Sequence, residues 1–191
     1  LAFTNYDHNH LPPGHLFDWV GFANFRNILP GRMAETFMPL LSWTLIWAVA
    51  ATATNFFFGI LLALLINTKG LRGKKIFRTI MNLPTEQIEA AEIDGANKFQ
   101  VFRSITFPQI LLIMTPNLIQ QFIGNINNFN VIYLLTEGKP NNSALYQAGD
   151  TDLLVTWLYK LTVIASDYNL ASVIGIIIFV LSAVFSLLAY T

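Results

Sequence analysis

"EAAEIDGANKFQVFRSITFP", residues 89–108, is the most acidic stretch of a chain that is otherwise largely apolar. Two short helical pieces flank an Asp-Gly break. Thr85 is placed to cap a helix from Glu86 to about Ile93, and Pro84 disfavours helix at Leu83. Acidic residues near that start suit the helix dipole. Ala90 and Ala91 are small enough for a partner to approach the backbone closely. Asp94-Gly95 is a turn signal, with glycine free to take a positive φ. A second helix can start at Asn97 and run towards Thr106, with Gln100 as a capping-box partner. Phe99 and Phe102 fall at i, i+3 and form an apolar ridge, and Pro108 is expected to close the unit. The result is a bracket at a membrane surface. It is either a solvated amphipathic loop or a docking element. Burying each Phe is worth about 1.5–3 kcal/mol, which favours docking.

The rest of the chain supplies the membrane. Of 191 residues, 54% are hydrophobic and 12% charged, about half the usual charged share of roughly 25%. Thr36–Thr68, Ser104–Thr136 and Tyr168–Thr191 contain no Asp, Glu, Lys or Arg. A spanning helix needs roughly 20 mostly apolar residues, so the first and last windows each predict a span. A soluble helical core is disfavoured because its helices are rarely this long and charge-free. The net charge of zero gives no field to recruit nucleic acid, and the absence of Cys excludes disulfides and thiolate chemistry. No signal peptide is recognisable, and the start at Leu1 predicts a chain beginning inside a larger protein. "LAFTNY" reads as the end of an earlier span. Lys69, Arg72, Lys74, Lys75 and Arg78 follow the first long span directly, which puts that flank in the cytoplasm. The N-terminal stretch is then outside, as is Glu137–Asp167 if the middle window crosses once. The bracket must share the cytoplasmic side with the basic run, which requires an even number of crossings between them.

Glu89, Ala90 and Ala91, then Gly95, Ile105 and Pro108, resemble the EAA loop of bacterial ABC importer permeases in residue type and spacing, with Phe107 where Leu is usual. "FDWVGFANFRNIL", "NINNFNVIYLLTEGKP" and "TDLLVTWLYKLT" extend the resemblance to MalF-type maltose/maltodextrin permeases over essentially the whole chain. The resemblance implies an all-α, polytopic helical membrane protein of the type I ABC importer permease fold, in a bacterial plasma (inner) membrane. It makes residues 1–191 one permease domain, with 67–108 cytoplasmic and coupling helices at 86–108. Glu89, Ala90, Ala91, Gly95, Phe99 and Phe102 would then couple to a separate ATPase. Family members carry two further spans before the EAA loop, so helices are expected to be missing between about 84 and 88. The implied partners are a second, MalG-like permease subunit, a cytoplasmic ATPase dimer carrying ATP and Mg, an extracytoplasmic sugar-binding protein, an oligosaccharide and lipid. Neither a bound cofactor nor nucleic acid is implied. "GLRGKK" has the wrong spacing for a phosphate-cradling loop and no hydroxyl after Lys, so ATP hydrolysis is not expected of this chain.

The middle window is unusually polar. Seven amides lie between Asn117 and Asn130. On a continuous helix Asn117, Gln121, Asn125 and Asn128 form a stripe, with Gln120, Gly124 and Asn127 beside it. Pro116 and Gly124 are expected to loosen the helix near this face. Amides are costly against lipid, so they should face a bundle interior or a watery cavity. They are either interhelical hydrogen bonding or a site for an uncharged polyol. Phe122, Phe129 and Tyr133 offer flat surface for sugar rings. By resemblance, Asn125 and Asn128 inherit substrate contact, followed by Gln121 and Gly124. His8, His10 and His15 read as solvated loop residues rather than metal ligands. No paired carboxylates or Ser-His-Asp set falls inside the membrane, so an intramembrane hydrolase is disfavoured. Trp157 and Tyr159 are expected at the membrane interface or against a partner protein. The reading is a sugar importer permease. Its rival is a non-transporting helical scaffold whose bracket recruits a cytoplasmic protein.

Overall fold

Helix-forming apolar runs bounded by Pro, Gly and Asn dictate an all-helical chain. The computed structural model describes residues 1–10, 14, 16–66 and 85–190, helical apart from loops and two isolated bridges. The helices are α1 (Ala23–Ile28), α2 (Ala34–Ile66), α3 (Thr85–Ile93), α4 (Lys98–Val101), α5 (Phe107–Ile126), α6 (Phe129–Thr136), α7 (Leu154–Tyr159) and α8 (Tyr168–Tyr190). A π-helical turn at Phe102–Thr106 joins α4 to α5, and another at Lys160–Ile164 extends α7. Stretches of α2 (Ala34–Leu62) and α8 (Tyr168–Ala189) are long and apolar enough to cross a membrane, as their charge-free windows predict. The basic run at Lys69–Arg78 lies outside the described residues, as does the start of the junction expected near 84–88.

The chain divides into two compact units, Leu1–Ala51 with Gln121–Thr191, and Thr52–Gln120. In the first, the core gathers Ile28, Phe37, Leu40, Leu154, Trp157, Leu161, Val173 and Ile174. Two threonines on one face of α2 pin it in place. The Thr36 hydroxyl accepts the Tyr146 N–H at 2.9 Å, and the Thr44 hydroxyl accepts the Leu154 N–H at 3.0 Å. The second bond satisfies a donor that the start of α7 would otherwise leave unpaired. Trp157 is fully buried and donates its indole N–H to the Tyr146 carbonyl at 2.8 Å. The expected interfacial position of Trp157 is therefore wrong. This ring is core, and its polar edge is satisfied internally.

The opening Leu1–Tyr6 is a non-helical segment tied to α1. Thr4 bridges to Trp19, and the Asn24 amide donates to the carbonyls of Ala2 and Thr4 at 2.9 and 2.7 Å. Those carbonyls bond to a side chain instead of a helical ladder.

The loop from Glu137 to Leu153 closes on a buried ion pair. Asp152 is 1% exposed, and Lys160 donates to its Oδ2 at 2.6 Å. The Gly149 N–H donates to the same oxygen at 2.7 Å. Gly138, at φ +78°, lies so close to this carboxylate that a Cβ would collide with it. Further along, the Tyr146 hydroxyl donates to Asp167 Oδ2 at 2.5 Å. Burial, followed by this carboxylate, pushes the phenol up to about 12.

Candidate functional site

In the second unit, the bracket forms as its residues dictate. α3 begins at Thr85, one residue earlier than expected, and ends at the Asp94-Gly95 turn. Gly95 takes φ +83°, and the Ala96 N–H closes the turn on the Ala91 carbonyl at 2.9 Å. Asn97 and Gln100 make a complete capping box. The Gln100 N–H donates to Asn97 Oδ1 at 2.9 Å, and the Asn97 N–H donates to Gln100 Oε1 at 2.8 Å. Gln109 on α5 reaches back to Gln87 on α3 at 2.8 Å and ties the two arms.

One expectation fails here. Pro108 does not close the unit. The helix runs from Lys98 through the π turn into α5 without interruption. Proline lacks an N–H and crowds the preceding turn, so widening that turn lets the helix pass through it. The expected coupling residues are presented outward. Glu89, Ala90 and Gly95 are exposed, Ala91 is half-buried, and Phe99 is 69% exposed. Phe102 instead leans on Phe107, with ring centroids 5.9 Å apart. Ile93 is a knob the sequence reading overlooked, at 86% exposure beside the turn. Its signal was an aliphatic residue ending a helix that has no apolar partner in sequence.

The amides of the first unit are arranged differently from the expected stripe. α5 continues through Pro116 and Gly124 and ends at Ile126, and α6 starts anew at Phe129. Asn128 stands between them at φ −80°, ψ 79°, and its side chain accepts the Val131 N–H at 3.3 Å. The Asn127 amide turns back to the Ile123 carbonyl at 3.0 Å and reaches Ser182 on α8 at 3.4 Å. Short amides compete with the helical ladder in this way. The break therefore belongs to Asn127 and Asn128 rather than to the proline or the glycine.

The break brings Asn125 and Asn128 together. Asn128 Nδ2 donates to Asn125 Oδ1 at 3.4 Å. Asn125 is buried and Asn128 half-buried, while Gln121 and Gly124 are exposed on α5. An amide pair at a helix break, with no charged residue between Arg103 and Glu137, offers donors and acceptors without selecting a charge. Phe122 is not available as a sugar surface. It packs edge-on against Phe185 at 5.0 Å, against the core.

The histidines form no metal cluster among the described residues. His10 Nδ1 lies 2.7 Å from Asp7, and His8 lies 3.8 Å from Asp167. His15 is outside the described residues.

Residues 28–191 match the family described as binding-protein-dependent transport system inner membrane component. The chain is 34% identical to the maltodextrin transport system permease protein MdxF of Bacillus subtilis, over 100% of this chain and 62% of MdxF. It is also 34% identical to the galactooligosaccharides transport system permease protein GanP of B. subtilis, over 95% of this chain and 62% of GanP. Against the maltodextrin permease protein MalC of Streptococcus pneumoniae serotype 4 it is 31% identical, over 100% and 62%. The chain thus spans about three fifths of these relatives' length. The MdxF match extends over 271 positions against the chain's 191, so about 80 of them have no counterpart in this chain. With its membrane-length helices and its family match over residues 28–191, the chain belongs to the binding-protein-dependent transport system inner membrane components.

Proposed function

We propose that this chain is a membrane-spanning permease subunit of an ATP-driven importer for maltodextrin-like oligosaccharides. The observation that carries the reading is the uncharged pair Asn125–Asn128 at a helix break, in a chain whose relatives are named for oligosaccharide cargo. Asn125 and Asn128 contact sugar hydroxyls, and Gln121 and Gly124 extend that surface. The bracket carrying Glu89, Ala90, Ala91, Gly95, Phe99 and Phe102 seats in a cleft of a separate ATPase dimer, which holds ATP and Mg. A second permease subunit completes the cavity, and an extracytoplasmic sugar-binding protein delivers the cargo. ATP binding closes the ATPases, the bracket moves as a rigid body, and the cavity opens alternately to each side.

The about 80 positions without a counterpart are enough for two crossings of roughly 20 residues each with their connections. We place them at the junction near 84–88, where the basic run and the bracket must face the same side. Peptide mapping across Pro84–Ile88 of the natural protein tests this. Two crossings' worth of extra sequence is expected there, and a continuous Pro84–Ile88 peptide assigns the difference to a deletion.

Exposed Phe99 and Ile93 also suit the rival reading, a scaffold that recruits a cytoplasmic protein. Purification from the native membrane separates the two. The transporter reading expects a co-purified ATPase whose turnover rises with maltodextrin and the binding protein. A bracket-bound protein without ATPase activity would favour the scaffold.

A further inference from the structure

Three aromatic rings pack on one another, one of them directly after Asn128 in the chain, and are used neither by the core nor by the bracket. Phe129 follows Asn128 directly and opens α6. Its ring stacks on Tyr133 one turn later, with centroids 4.8 Å apart at 18°. Tyr159, from the end of α7, lies 5.1 Å from both rings, tilted at 59° to Phe129 and 70° to Tyr133. All three are half-buried. Each is thus fixed by its neighbours but keeps surface free. Packing of this kind holds aromatic faces rigid before anything binds, so little ordering is needed on binding.

We propose that Phe129, Tyr133 and Tyr159 form a stacking platform that takes a third sugar ring of an oligosaccharide whose first two rings lie at Asn125 and Asn128. This rests on the reading of the amide pair as a sugar contact. A hexose carries hydroxyls on its rim and C–H groups on its faces. The amides match the rim, and the platform matches a face. The tyrosine hydroxyls add donors and acceptors beside that ring. Disaccharide cargo would gain nothing from such a surface. Cargo of several units, of the kind for which the relatives are named, gains a second foothold. In sequence, Tyr159 is separated from Tyr133 by the whole extracytoplasmic loop, so only the fold brings it to this place.

The experiment uses the full-length protein in its complete transporter, reconstituted in liposomes with the binding protein, with maltose and maltohexaose as probes. The readout is the ratio of maltohexaose to maltose uptake. Tyr159→Leu should lower that ratio about fivefold, as loss of one ring contact implies. Tyr133→Leu should act in the same direction and serves as a second variant should Tyr159→Leu fail to assemble. Tyr159→Phe keeps the ring and should keep most of the ratio. An unchanged ratio, or an equal loss for both sugars, overturns the platform. Asn128→Leu is measured in parallel and should lower uptake of both sugars. If it lowers neither, the amide site fails, and the platform fails with it.

Discussion

The bracket of residues 85–107 and the loop-helix region of residues 137–167 are similar in size, but they handle their apolar and charged groups in opposite ways. The bracket turns Ile93 and Phe99 outward and spends its polar side chains on shaping itself, through Asn97–Gln100 and Gln87–Gln109. The loop-helix region draws Trp157, Leu153 and Leu161 inward and even buries an ion pair, Asp152–Lys160. One region finishes its surface against α2 and α8. The other has a fixed shape but an unfinished surface. Changes in the buried region should therefore cost stability, and changes in the bracket should cost coupling.

The largest effect should come from the buried pair. Lys160→Met leaves the Asp152 carboxylate buried without its cation, which costs about 3–5 kcal/mol. A large fall in the melting temperature of the assembled protein is expected, and an unchanged one would break the contrast. Gly95→Val should strain the turn locally, leave membrane insertion intact and abolish productive coupling. No atom stands in the way of a new side chain, yet φ +83° strains a β-branched residue whatever the space. Transport should fall at least tenfold, with normal membrane insertion. Normal transport by a well-expressed variant would show that the turn is dispensable.

Asn128→Leu tests whether the amide pair belongs to cargo or to structure. If Asn128 holds a sugar hydroxyl, its loss costs about 1–3 kcal/mol in affinity, a five- to hundredfold effect on uptake. The same residue caps α6, and loss of that cap lowers stability by about 1 kcal/mol. Asn128→Asp keeps an acceptor for Val131 and separates the two roles, because the cap survives while a charge enters the sugar site. Uptake should remain low and melting should recover. Recovery of both would assign Asn128 to the cap alone. The smallest effect should be Phe99→Ser. It removes an exposed ring, leaves the isolated subunit's melting within about 0.5 kcal/mol, and weakens retention of the ATPase during purification. Equal retention would exclude Phe99 from the docking surface.

Much of this was legible in the sequence, for identifiable reasons. Gly95, the Asn97–Gln100 box and the two long helices rest on local rules, in which a residue and its near neighbours decide the outcome. The break at Asn127–Asn128 was missed because helical periodicity sees which face a side chain occupies. It does not see an amide leaving that face to bond with the backbone. Trp157 was misplaced because its surroundings come from α2 and α8, remote in sequence. Asp152 and Lys160 were unreadable as a pair for a different reason, since the loop must enter α7 at one set angle before one charge meets the other. The pairing of Asn125 with Asn128 emerged from the resemblance and from the break together. The contact of Tyr159 with Phe129 and Tyr133 emerged only from the fold.

The central claim is that the bracket and the amide pair belong to one ATP-driven sugar pathway. The direct measurement is uptake of labelled maltodextrin into liposomes that hold the complete transporter, with ATP enclosed and the binding protein outside. Accumulation should require both ATP and the binding protein and should be lost in Gly95→Val. Uptake that proceeds without ATP, or no uptake by a complex that hydrolyses ATP normally, would contradict it.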